Sequence, residues 1–204
     1  FRSIYRSGAT VLTLSNLGSQ VLSFAGGLLI ARVLGRSGRG ATAVVYAYDD
    51  LSSNALSLGV PAAVGYEAAQ YEEHASVQEG QLLGSALRIA FWVTPFAVLF
   101  GYLVFRFALP GYSGGLRALV LLAIAGTPLV NSVPIAGRMV LTARGQLHRL
   151  SVLGIGTWVV RLVAFMALWA LGELTAVTAS LAFLAAGWFF SAVTWVVVGV
   201  VPRR

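Results

Sequence analysis

Apolar runs of membrane-crossing length constrain this chain more than any other feature. Six can be marked, at about 8–32, 41–66, 80–108, 115–143, 147–171 and 175–200. A helical crossing needs ~20 apolar residues, because each residue rises ~1.5 Å and the hydrocarbon core is ~30 Å thick. Each run meets that length. The joints between them are short and polar: "GRSGRG" (35–40), "EAAQYEEHASVQEG" (67–80), "LPGYSGG" (109–115), "TARGQLHR" (142–149) and "GE" (172–173). None is long enough to link separate domains. The expectation is an all-α membrane protein in which residues 1–204 form a single bundle of six transmembrane helices.

Composition agrees. Charged residues make up only 10% of the 204 and hydrophobic ones 58%, with a mean hydropathy of +0.83, whereas soluble domains carry roughly 25% charge. The net charge of +7 would suggest a nucleic-acid partner in a soluble protein. Here the arginines cluster at the ends of apolar runs, where they meet lipid headgroups and set topology. All 14 basic residues are arginine, and there is no cysteine, which excludes disulfides and thiolate metal sites. No metal site or cofactor is expected. Phe1 is not a start methionine and nothing resembles a cleavable signal, so a fragment or a processed chain retained in the membrane is expected.

Arginine placement orients the bundle. With a cytoplasmic N-terminus the inner face holds Arg2, Arg6, Arg88, Arg138, Arg144, Arg149, Arg203 and Arg204, and the outer face holds Arg32, Arg36, Arg39, Arg106 and Arg117. The excess on the first side favours that orientation. Pro61, Pro95, Pro128 and Pro134 fall within apolar runs, and the backbone groups they free must face other helices or a cavity. In the first run Ser15, Ser19, Ser23, Gly27 and Ala31 form a four-residue ladder of small side chains that invites close helix packing.

Polar residues inside such runs are the candidates for function. Residues four apart share a helix face, so Tyr46, Asp50 and Asn54 stack together, and Asp49, Ser53 and Ser57 stack beside them. A carboxylate at mid-membrane depth costs ~2.5–3.5 kcal/mol on insertion scales and is kept where it faces water, an ion or a basic partner. Arg161, deep in the fifth run, is the matching anomaly of opposite sign. Counted from the outer ends of their runs, Asp50 and Arg161 lie at a similar depth, which makes them a candidate pair. A guanidinium facing a cavity instead suits an anionic headgroup. Asn16 with Gln20, and Thr127 with Asn131, are further polar pairs, suited equally to interhelical hydrogen bonds or to cavity lining. Arg138 reads as a snorkelling anchor.

Residues 24–71, "FAGGLLIARVLGRSGRGATAVVYAYDDLSSNALSLGVPAAVGYEAAQY", resemble the start of the polysaccharide and lipid-linked oligosaccharide flippases of the multidrug/oligosaccharidyl-lipid/polysaccharide exporter superfamily. "ARVLGRSGRG" stands where that family often shows A-R-L-L-G-P-x-G-x-G, with Arg36-Ser37 where the proline falls. "SLGVPAAVGYEAAQ" resembles its S-L-G-hydrophobic step into an acidic cytoplasmic helix. The resemblance implies one six-helix lobe of an alternating-access transporter in the cytoplasmic membrane, with a second lobe in the same chain or another subunit. It also implies a lipid-linked glycan as substrate. By position Arg161 is then the candidate for the lipid diphosphate, and Asp49 and Asp50 for a coupling proton or sodium ion. A cation-coupled multidrug exporter of the same superfamily and a non-transporting scaffold subunit of a glycan-export assembly are the alternatives. "GYSGG" (111–115) contains the G-x-S-G of rhomboid-type intramembrane proteases, but His74 and His148 are expected across the membrane from Ser113, so no enzyme is expected.

Overall fold

A computed structural model describes residues 2–55, 114–143 and 145–200, together with short helical pieces between 63 and 106. Its described residues are helical apart from tight turns. The first helical stretch, Arg2–Ala55, is interrupted at one residue, Gly35, with φ 66° and ψ −166°. It divides into α1 (2–34) and α2 (36–55). Then come α3, the apolar piece Phe91–Leu103, α4 (Gly114–Ala143), α5 (Leu147–Ala170) and α6 (Ala176–Val200).

The expected joint at 35–40 is therefore shorter than the sequence suggests. A left-handed φ costs an L side chain ~1–2 kcal/mol and glycine almost nothing, so Gly35 concentrates the break in one residue. Gly38 makes the corner tight, because a Cβ there would lie 2.5 Å from the Leu34 Cβ. The remaining residues of "GRSGRG" open α2 as regular helix.

Contacts between helices give their directions. Ser15 donates to the Ser151 carbonyl at 3.2 Å, and Phe165 packs on Gly26. Residue numbers rise together along this seam, so α1 and α5 run the same way. Thr127 reaches Asp49, Asn131 reaches Ser53, and α2 and α4 are likewise parallel. Val177 beside Gly115, Trp188 against Gly126 and Ser191 on Asn131 align α6 with α4. In contrast, Arg161 bonds Phe183 while Phe190 packs on Gly156, so α5 and α6 are antiparallel. It follows that α1 and α5 run against α2, α4 and α6, and the chain reverses at Gly35.

Among the described residues, three stretches are long and apolar enough to cross a membrane: Thr10–Ser53, Leu147–Ala170 and Ala176–Thr194. The expected run 41–66 is described over 41–55 and at 63 and 66, and the run 80–108 in pieces between 85 and 106, while Pro61 lies outside the described residues. Helix α4 continues through Pro128 and Pro134. Ile30, Val45, Val120, Phe165, Phe183 and Leu184 meet in the buried core, while Leu14, Leu17, Val21, Phe24 and Leu28 are exposed along α1.

The small-residue ladder on α1 is followed only in part. Ser15, Ser19 and Gly26 meet α5, and Ile30 joins the core. A four-residue step overshoots one turn by about 40°, so a strict ladder winds off the seam. An eleven-residue step, such as Ser15 to Gly26, returns to within about 20° of its start.

Candidate functional site

The inner face of α2 is Thr42, Val45, Asp49 and Ser52, all buried. Steps of three and four residues keep one face turned inward over three turns. This separates the two adjacent carboxylates: Asp49 is buried, and Asp50, ~100° further round the helix, is exposed. Asp49 accepts a 2.6 Å hydrogen bond from the Thr127 hydroxyl on α4.

One turn along the same interface, the Asn131 amide nitrogen donates to the Ser53 hydroxyl at 3.2 Å. The Ser191 hydroxyl on α6 donates to the Asn131 carbonyl oxygen at 2.6 Å. One side chain thus ties three helices together. The pair expected from its four-residue spacing, Thr127 and Asn131, is brought together with Asp49 and Ser53 as a set of interhelical bonds.

Arg161 is also buried. Its Nε donates to the Phe183 carbonyl at 3.2 Å. Its guanidinium carbon lies 3.6 Å from the centre of the Phe183 ring and 4.7 Å from that of Trp158. The Phe183 ring in turn stacks on Tyr46, with centroids 3.8 Å apart. Cation–π contacts are worth ~2 kcal/mol or more when desolvated, so the rings and the carbonyl together offset part of the cost of burying this charge. Gly187 completes the seat: a Cβ there would lie 2.9 Å from Nη2 of Arg161. The sequence expectation pairs Asp50 with Arg161; of the two carboxylates, Asp49 is the buried one.

Among the described residues, three buried polar atoms of α2 and α6 have no hydrogen-bond partner: the Tyr46 hydroxyl, the Ser180 hydroxyl and the Trp188 indole nitrogen. A buried donor left dry costs ~1–3 kcal/mol.

Other expected positions lie elsewhere. Asn16 and Gln20 are exposed on α1, away from the α5 seam. The side chain of Asn54, together with Ser57, falls outside the described residues, as do Ser113 and His74, while His148 is exposed at the start of α5. Arg138 is exposed near the end of α4. No group of three or more His, Cys, Asp or Glu side chains suited to a metal occurs among the described residues. Trp158 was legible in principle, since it precedes Arg161 by one helical turn. Phe183 and Gly187 were not, because only tertiary packing brings α6 to α5.

No protein-family model, curated protein or solved structure matches the chain.

Proposed function

We propose that the chain is one lobe of an alternating-access transporter that carries a lipid-linked oligosaccharide or polysaccharide precursor across the bacterial cytoplasmic membrane. The observation that carries this reading is Arg161, a guanidinium buried among apolar helices that also bury the carboxylate of Asp49. Ionisable groups at such depth are expensive and mark substrate or ion pathways. A guanidinium, with its fork of N–H donors, matches a diphosphate, which offers only acceptors.

The opposed directions of α1 and α5 against α2, α4 and α6 fit a bundle of alternating crossings that starts from a cytoplasmic N-terminus. The resemblance of residues 24–71 to the flippases adds the substrate class and the second lobe, in the same chain or in another subunit. In the present conformation Arg161 is enclosed by Trp158, Phe183 and Gly187, so transport includes a step that uncovers it. Asp49 is the natural carrier of a coupling proton or sodium ion. That same carboxylate favours the second reading, a cation-coupled drug exporter of the superfamily.

The test is saturable binding of a fluorescent polyprenyl-diphosphate oligosaccharide to the purified protein in lipid vesicles. Arg161→Ala is expected to abolish it, and Arg161→Lys to weaken it by about tenfold, since lysine keeps the charge but loses the planar fork. Full binding by folded Arg161→Ala overturns the proposal. Saturable binding of a lipophilic cationic dye, lost in Asp49→Asn, would instead select the drug-exporter reading.

A further inference from the structure

The corner between α1 and α2 carries three exposed arginines, Arg32, Arg36 and Arg39. They stand three residues before Gly35, and one and four after it, which places all three within ~6 Å of the corner's height along the helix axes. Arg36 and Arg39 are one turn apart on α2 and share a face. Because α1 is parallel to α5 and α2 to α4, the same end of the bundle holds Arg117, at the start of α4, and Glu173, just past α5. Among the described residues this end is strongly positive.

Below the corner α1 presents an apolar stripe. Val21, Phe24 and Leu28 are exposed, and Arg32 continues the same face at the next turn. From Val21 to Arg32 the helix rises ~16 Å, close to the ~15 Å depth of one leaflet. A phosphate at the corner with acyl chains along α1 matches this arrangement in length and polarity. A soluble phosphate would use the arginines and leave the stripe unused.

We infer that the Arg32–Arg36–Arg39 corner with the Val21–Phe24–Leu28 stripe is a binding site for an anionic phospholipid. The phosphate is engaged by guanidinium forks, which bind its oxygens in bidentate fashion, and the acyl chains lie against α1. The inference rests on the chain being membrane-embedded and not on the identity of any transported substrate.

Native mass spectrometry of the detergent-solubilised protein tests it, with three probes: phosphatidylglycerol, phosphatidylcholine with the same acyl chains, and inorganic pyrophosphate. Phosphatidylglycerol is expected to give a retained one-lipid adduct at least tenfold more abundant than phosphatidylcholine does. Each Arg→Gln change at position 32, 36 or 39 should weaken it about fivefold, the worth of one arginine at a lipid surface. The triple change should remove the preference, and the triple Arg→Lys change should retain only part of it, since lysine keeps the charge but loses the fork. If the triple Gln variant does not fold, the single variants at these exposed positions give the same reading. Equal binding of the two lipids, an unchanged preference in the variants, or retention of pyrophosphate without phosphatidylglycerol overturns the inference. Arg161 is untouched throughout, so the outcome is separate from that of the transport assay.

Discussion

Thr127 donates a 2.6 Å hydrogen bond to Asp49 across the parallel pair α4 and α2, while Asp50, the next residue, faces outward. A hydroxyl at this place satisfies one lone pair of a carboxylate that has little water to turn to. Removing it leaves a buried acceptor short of a partner. Thr127→Val, which keeps the shape, should therefore cost ~1.5–3 kcal/mol, the range for bonds to charged groups. Thr127→Ser should cost under about 1 kcal/mol, because it retains the donor. Thermal unfolding of the detergent-solubilised protein reads both, and equal losses would show that the hydroxyl does not matter.

Asp49 and Arg161 are both buried while Asp50 is exposed, which predicts the outcome of two double-mutant cycles. Removing one member of a buried pair leaves an uncompensated charge and costs ~3–5 kcal/mol, whereas removing both costs less. Asp49→Asn with Arg161→Gln should show a coupling of at least about 1 kcal/mol. Asp50→Asn with Arg161→Gln should show a smaller one. A larger coupling for Asp50 would contradict the burial of Asp49.

The corner separates glycines that are required from those that are not. Gly35→Ala places a Cβ at φ 66° and should cost ~1–2 kcal/mol. Gly40 is helical, and a Cβ there would meet nothing within 4 Å, so Gly40→Ala should be neutral or stabilising by ~0.5–1 kcal/mol. Chemical denaturation of the two variants checks the difference.

Topology can be read from single cysteines, since the native chain has none. Ser37 at the corner and His148 at the start of α5 are exposed and lie at opposite ends of the bundle. With a cytoplasmic N-terminus, an impermeant thiol reagent should label Ser37→Cys in intact cells and His148→Cys only after permeabilisation. The reverse pattern would invert the orientation.

The helical class was legible because apolar runs of this length leave little else to form. Asp49, Asp50 and Arg161 stood out for the same reason, as charges inside such runs. Which carboxylate turns inward was not legible. That depends on helix phase, and Thr42, Val45, Asp49 and Ser52 follow a mixed three-and-four step, unlike the four-residue stacks drawn from the sequence. The seat of Arg161 was hidden further, since the Phe183 carbonyl and Gly187 arrive from another helix, 22 residues away in the case of Phe183. The corner at Gly35 was anticipated as a six-residue joint because its glycines and arginines look like a loop until one residue is seen to take the whole turn.

The pairing of α1 with α5 also sets an order of events during synthesis. Ser15 and Ser151, which bond across that seam, are 136 residues apart. At ~5–20 residues per second of translation, α1 waits roughly 7 to 30 s before its partner exists. Throughout that interval the serine and glycine face of α1 has no helix to close on. Until the fifth helix leaves the ribosome, that face meets lipid or the insertion machinery instead, and a truncation before residue 147 would leave the seam permanently open.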